Sequence, residues 1–286
     1  MRIPDRLGWI RARSRGPGWL EALPSLVAAC AERWDLQLGE PFEDSFVSWV
    51  APVATPDGPA VLKVQYPHGE AEFEADALAA WEGDGAVRLL AHDRERGALL
   101  LERCTPGQHL STIGPDAAIG VLVELLPRLW VEAATPFRSV VDEARDWVDA
   151  LPQRWERAGR PFPRLLVDAA VDHLEALIAD VDASVLVHQD LHGDNVLAAQ
   201  REPWLAIDPK PLLADREFSL SPIIRSGEFG HSKALVVGRL DRLTDELGLD
   251  RDRARRWCFG QTVAWSIEGT AALDGHVDVA RWLLGT

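Results

Sequence analysis

VLVHQDLHGDNVLAAQREPWLAIDPKP, residues 185–211, is the stretch on which the reading of the chain turns. Two apolar, partly β-branched runs, Val185 to Val187 and Leu205 to Ile207, each end in a polar residue. Between them His188-Gln189-Asp190-Leu191-His192-Gly193-Asp194-Asn195 is polar. Such runs predict strands and such a segment a loop, so the loop and the end of the second run can face one place.

Asp190 and Asn195 stand in the order H-x-D-x-x-x-x-N. In phosphoryl transfer that pattern lets an aspartate accept the proton of the acceptor hydroxyl while the asparagine binds Mg²⁺. A loose transition state needs a positioned nucleophile and compensated negative charge more than covalent help. Asp190 meets the first need. Asp208, closing a short apolar strand ahead of Pro209, meets the second by holding Mg²⁺, a hard cation that prefers oxygen. The plain alternative is strand, polar turn and strand, with Asp and Asn present because they suit turns. A sharper rival is a Zn²⁺ hydrolase ligated by His188, Asp190, His192 and Asp194, but the chain offers it no convincing second histidine cluster.

HQDLHGDN, then LAIDPKP, then Asp215-Arg216-Glu217-Phe218 resembles the aminoglycoside phosphotransferase superfamily, within it the streptomycin 6-kinase and hydroxyurea phosphotransferase branch. The resemblance implies an α+β, protein-kinase-like two-lobe fold that moves the γ-phosphate of ATP, with Mg²⁺, to a small-molecule hydroxyl. His188-Gln189-Asp190 departs from the protein-kinase H-R-D, and Ile207-Asp208-Pro209 stands where D-F-G would be. Both departures favour a small-molecule kinase over a protein kinase.

The chain has 286 residues, 47% of them hydrophobic and 26% charged, enough for one large core or two lobes. It shows no apolar run long enough to span a membrane and no signal-peptide pattern. Cys30, Cys104 and Cys258 are odd in number and unpaired by motif, so cytoplasm is the expected compartment. A net charge of −15 disfavours nucleic acid and suits a cationic or neutral partner, an aminoglycoside among them, although acidic surfaces also serve solubility alone.

Residues 25–34 read as a short helix, and 42–51 and 60–65 as strands joined at Pro56-Asp57-Gly58. Lys63, inside the second strand, is expected to hold ATP phosphates. No G-x-G-x-x-G precedes it, and Ser45 in Glu43-Asp44-Ser45 resembles the family's serine-containing nucleotide loop. Residues 70–81 read as a helix whose Glu74 shares a face with Leu78 and Trp81, and Glu74 is the expected partner of Lys63. Residues 85–93 and 97–103 read as two more strands, leaving the fifth of a kinase-like sheet unplaced. Glu102 and Cys104 fall where kinases bind adenine through the backbone, and the boundary is expected there, with a nucleotide-binding lobe at 1–103 and a catalytic and acceptor lobe at 104–286.

Beyond it, 116–134, 140–157 and 164–180 have helical spacing, with Pro127 and Pro152 expected to kink or split the first two. Much of 222–247, 251–273 and 277–284 also reads as helix. Trp265 and Glu268, three apart, are expected on one helix face bordering the acceptor, Lys210 near phosphate, and Asp215 bracing the catalytic loop. The leading expectation is an antibiotic O-phosphotransferase. Its alternatives are a kinase of another metabolite and a nucleotide-binding pseudokinase.

Overall fold

The structure is a computed structural model describing residues 1–69, 72–181 and 184–285. By internal contacts it divides into two compact units, Met1–Gly107 with Ala198–Leu205, and Gln108–Leu197 with Ala206–Thr286.

The first unit combines an antiparallel sheet with, among the described residues, two α-helices and a 3-10 helix over Asp5–Ala12. Its elements are α1 (Gly16–Arg33), β1 (Gln37–Leu38), β2 (Ser48–Thr55), β3 (Gly58–Gln65), α2 (Glu74–Trp81), β4 (Leu89–Asp93) and β5 (Ala98–Glu102), in sheet order β1-β2-β3-β5-β4. β1 is the fifth strand, two exposed residues on the edge and too short to show a period in sequence. The strand expected from residue 42 starts only at Ser48, because Phe42 and Phe46 are exposed and Phe46 stacks on Trp9 instead of entering the sheet. α1 begins at Gly16, earlier than expected, and runs through Pro24. Its buried face, Trp19, Leu20, Leu23, Val27 and Cys30, keeps helical spacing across the proline and packs on β2 and β3 residues, which outweighs the lost hydrogen bond. The helix expected over 70–81 is described from Glu74; Glu70 and Ala71 lie outside the described residues.

The second unit is mostly helical. It holds α3 (Pro115–Leu129), β6 (Arg138–Ser139), α4 (Val140–Arg157), α5 (Arg164–Ile178) and β7 (Val185–Val187). After these come a hairpin, β8 (Val196–Ala198) and β9 (Trp204–Ala206), whose tip belongs to the first unit, and then β10 (Leu212–Ala214). α6 (Ser221–Arg225), α7 (Lys233–Leu247), α8 (Arg251–Ala264), β11 (Ile267–Glu268), β12 (Ala271–Ala272) and α9 (Asp274–Leu284) complete it. Pro127 and Pro152 split neither helix. In α4 the buried stripe Val140, Ala144, Trp147, Leu151 and Trp155 continues past the proline. The helix expected over 251–273 ends at Ala264: Gly269, at φ +60°, is the first of two loop residues between β11 and β12, a backbone suited to a tight hairpin.

Candidate active site

In the first unit, Lys63 on β3 and Glu74 on α2 form a buried pair. Lys63 Nζ lies 2.8 Å from Glu74 Oε1 and 2.6 Å from Oε2, and Gln65 Nε2 donates to the same Oε2 at 2.6 Å. With 5% and 1% exposure these charges need each other, since an isolated charge there is costly. Ser45 lies half-buried just ahead of β2. Glu102 ends β5; its carboxylate takes Arg201 Nε and Nη2 at 2.9 Å, and its N–H is already donated to Arg88 O. Cys104 is half-buried beyond the last paired residue, and burial, helped by the nearby Glu102 charge, pushes its thiol up to about 12.

In the second unit β7 pairs antiparallel with β10, Val187 opposite Leu212, and delivers the chain to His188. The loop from His188 to Asn195 is fastened to the corner that follows β9. Ile207 N–H donates to Asn195 O at 2.9 Å, His188 Nε2 donates to Ile207 O at 2.8 Å, and Lys210 N–H donates to His188 O at 3.0 Å. Asp208 therefore sits on a corner bonded to both ends of the loop, in the left-handed region at φ +60°; Gln189, just ahead of Asp190, shares that conformation. Strained backbone on both carboxylate-bearing segments is what a site that over-determines its geometry shows. Asn195 Nδ2 donates to Asp190 O at 2.8 Å, which fixes the amide nitrogen on that side and leaves the oxygen for another partner.

Burial opposes ionisation of Asp190, but the charges of Lys210, with Nζ 3.2 Å from Oδ2, and of His192, Arg225 and His188 outweigh it and hold the carboxyl below its ordinary range. Burial drives His188 the other way, down to about 4, so it is neutral at pH 7. Asp190 opens onto a cavity of about 410 Å³ bordered by Arg225, Glu228, His231, Trp265 and His276. Arg225, 8% exposed at the end of α6, donates one side-chain hydrogen bond among the described residues, to Gln261 Oε1 at 2.8 Å, and covers the Trp265 ring at 4.5 Å.

The first unit thus holds a charged lysine on a buried glutamate, and the second an ionised aspartate facing a cavity. Residues 33–273 match the family model described as aminoglycoside/hydroxyurea antibiotic resistance kinase. The chain belongs to that family. It is 38% identical to a streptomycin 6-kinase of Streptomyces griseus, over 98% of this chain and 96% of the relative. A hydroxyurea phosphotransferase of Kitasatospora aureofaciens is 41% identical, over 99% and 86%. Among solved structures, aminoglycoside phosphotransferase APH(4)-Ia superposes at TM-score 0.61 with 15% identity, over 92% and 96% of the two chains. A choline/ethanolamine kinase family protein from Mesorhizobium loti does so at 0.63 with 16%, over 91% and 95%. Both share the protein-kinase-like fold. The family places this chain among antibiotic-modifying phosphotransferases that act on a hydroxyl group.

Within this kinase several sequence expectations change. Trp265 closes α8 and Glu268 lies exposed on β11, so they share no helix face, and only Trp265 borders the cavity. Its ring already meets two of the chain's own cations, Arg225 and Lys210, the latter at 5.5 Å. Asp215 braces α8 rather than the catalytic loop, taking Arg253 Nε at 2.5 Å and Trp257 Nε1 at 2.9 Å on Oδ2. The zinc rival loses its set: among the described residues the groups close enough to share a metal are His192, Asp194 and Glu228, without His188 or Asp190. These are already bonded, His192 Nδ1 to Glu228 Oε1 at 2.8 Å and Asp194 Oδ1 to Ser111 Oγ. Arg225 and Glu228 escape sequence reading because a lone charge in a short turn-rich segment carries no periodic signal.

Proposed function

We propose that the chain transfers the γ-phosphoryl group of ATP to a hydroxyl of a small antibiotic, with streptomycin the first acceptor to test and hydroxyurea the second. The observation that carries this reading is the ionised Asp190 at the wall of a cavity, in a chain so similar to kinases of both acceptors. The two relatives' names concern their own substrates; here they choose the probes.

The roles follow from the chemistry of each group. Asp190 accepts the proton of the acceptor hydroxyl as its oxygen attacks the γ-phosphorus, and the bond from that phosphorus to the β-γ bridging oxygen breaks to release ADP. Its low pKa keeps it ionised and available at neutral pH. Lys63, oriented by Glu74, binds the α- and β-phosphate oxygens. Ser45 is assigned to the nucleotide loop and Cys104, with Glu102, to the segment meeting the adenine; since the Glu102 N–H is committed to Arg88, Cys104 is the better donor. Asp208 and the Asn195 amide oxygen are assigned to hold the cation, since both offer oxygen and the Asn195 nitrogen is turned to Asp190 O. Mg²⁺ held by these two residues would supply the positive charge that offsets the phosphate oxygens. Arg225 and Glu228 border the acceptor cavity with opposite charges, which suits a polyol or cyclitol carrying both hydroxyls and cationic groups better than a purely apolar ligand.

A pseudokinase is the second reading, and the complete set of donor groups weighs against it. Mass spectrometry of streptomycin and of hydroxyurea after incubation with Mg²⁺-ATP tests the proposal. Gain of one HPO₃ by either supports it; ATP binding with neither product leaves the fold and removes the acceptor assignment.

A further inference from the structure

Glu228 lies outside the H-x-D-x-x-x-x-N pattern, yet it reaches into the loop that carries it. It sits in the single helical turn Gly227–Phe229 after α6, where Ser226 Oγ accepts the Glu228 N–H at 3.2 Å. Arg239, buried on α7, holds that turn by donating to Ile224 O at 2.8 Å, Ser226 O at 3.1 Å and Phe229 O at 3.0 Å. So placed, Glu228 accepts twice from the catalytic loop. Oε2 takes the Gly193 N–H at 2.7 Å and Oε1 meets His192 Nδ1 at 2.8 Å. The fit leaves no slack: a Cβ on Gly193 would lie 2.7 Å from Glu228 Oε2 and 2.9 Å from Ser111 Cα.

The other nitrogen of the same ring faces the metal-side residue. His192 Nε2 is 3.2 Å from Asn195 Nδ2, whose second hydrogen goes to Asp190 O. An amide nitrogen carries only donors and a carboxylate only acceptors, so for the neutral ring these two contacts close in one way, and both are shorter than the approach of the Asp194 N–H to Nδ1 at 3.4 Å. Nδ1–H donates to Glu228, and bare Nε2 accepts from Asn195. The opposite tautomer would point Nε2–H at the Asn195 NH₂, and the amide would have to turn, giving its oxygen to His192.

We propose that Glu228 is a positioning residue: by fixing His192 as the Nδ1–H tautomer it fixes the Asn195 amide, so that Asn195 presents oxygen rather than nitrogen to the cation. This rests on the proposed role of Asn195. Two carboxylate oxygens are required for the task. Gln in place of Glu228 keeps one oxygen, which Gly193 N–H claims, and offers His192 an NH₂; that donor demands the Nε2–H tautomer and reverses the relay.

The test reads the tautomer and the metal separately. Long-range ¹H–¹⁵N NMR of the intact protein at pH 8.5 is expected to show His192 as Nδ1–H, and Glu228→Gln as Nε2–H. Mn²⁺ binding in the presence of a non-hydrolysable ATP analogue, followed by electron paramagnetic resonance, is expected to weaken roughly tenfold or more in Glu228→Gln, about the loss of one good ligand interaction. In an Asn195→Asp background, where oxygen is offered in any orientation, the same substitution should change Mn²⁺ binding less than threefold, a double-mutant comparison that a merely structural role would not reproduce. An Nε2–H tautomer in the intact protein overturns the proposal even if Glu228→Gln fails to fold. So does a folded Glu228→Gln with unchanged Mn²⁺ affinity. If the intact protein binds the nucleotide analogue but no Mn²⁺, the metal role of Asn195 falls and takes this proposal with it; no nucleotide binding at all overturns the kinase reading as well.

Discussion

Lys210 Nζ stands 3.2 Å from Asp190 Oδ2, the oxygen that Asn195 Nδ2 also approaches, at 3.5 Å. The base of the proposed reaction is thus held by a cation from the corner carrying Asp208. Lys210 opposes the burial that would otherwise protonate Asp190. Lys210→Met should raise the Asp190 pKa, so that the acid limb of the kcat profile moves to higher pH while the alkaline side keeps its shape. An unmoved acid limb would mean that His192 and Arg225 suffice.

Lys63 and Glu74 are buried on facing elements, and removing one strands the other. Lys63→Met or Glu74→Leu alone should destabilise the protein by roughly 3–5 kcal/mol in urea unfolding. The double variant should recover much of that loss while leaving the KM for ATP high. Equal destabilisation by the single and double changes would show that the pair is held by its surroundings rather than by mutual need.

His188 adds a pH dependence to stability. Its folded pKa lies below the ordinary 6.5, at about 4, because burial disfavours the charged ring. The unfolded chain therefore binds the proton first. The contribution is fully present above 6.5, falls away as the pH drops from 6.5 to about 4, and amounts to roughly 3 kcal/mol across that window at about 1.4 kcal/mol per pH unit. His188→Gln should flatten the stability profile between pH 7 and pH 4 relative to the parent. A parallel offset at every pH would contradict this.

Arg225 borders the cavity and, among the described residues, donates one side-chain hydrogen bond, to Gln261. Arg225→Lys should raise the KM for the acceptor roughly tenfold, about the worth of one charge-assisted hydrogen bond, with the KM for ATP unchanged. A change confined to the KM for ATP would move Arg225 out of the acceptor site.

How much of this was legible depends on what kind of signal each residue leaves. Asp190, Asn195 and Asp208 sit at fixed spacing on one stretch, because the loop and the corner after β9 are bonded end to end. Lys63 and Glu74 were readable as an odd lysine in a strand and an acidic residue on an apolar helix face, and the structure places them in contact. Trp265 and Glu268 misled because an i, i+3 pair has meaning only if the helix continues, and Gly269 turns the chain instead. β1, β8 and β10 are two or three residues long, too short for a period. Arg225 and Glu228 reach their places by tertiary hydrogen bonds to Gln261 and the catalytic loop, which no local pattern encodes.

The most direct measurement of the central claim is acceptor-stimulated ADP release with Mg²⁺-ATP, comparing streptomycin, other aminoglycosides and hydroxyurea, for the intact protein and for Asp190→Asn. At least one acceptor should stimulate release, and Asp190→Asn, folded and still binding nucleotide, should lose about 10²–10⁴-fold of that rate. Acceptor-stimulated release that survives Asp190→Asn undiminished would contradict the assignment of the base and with it the account of this site.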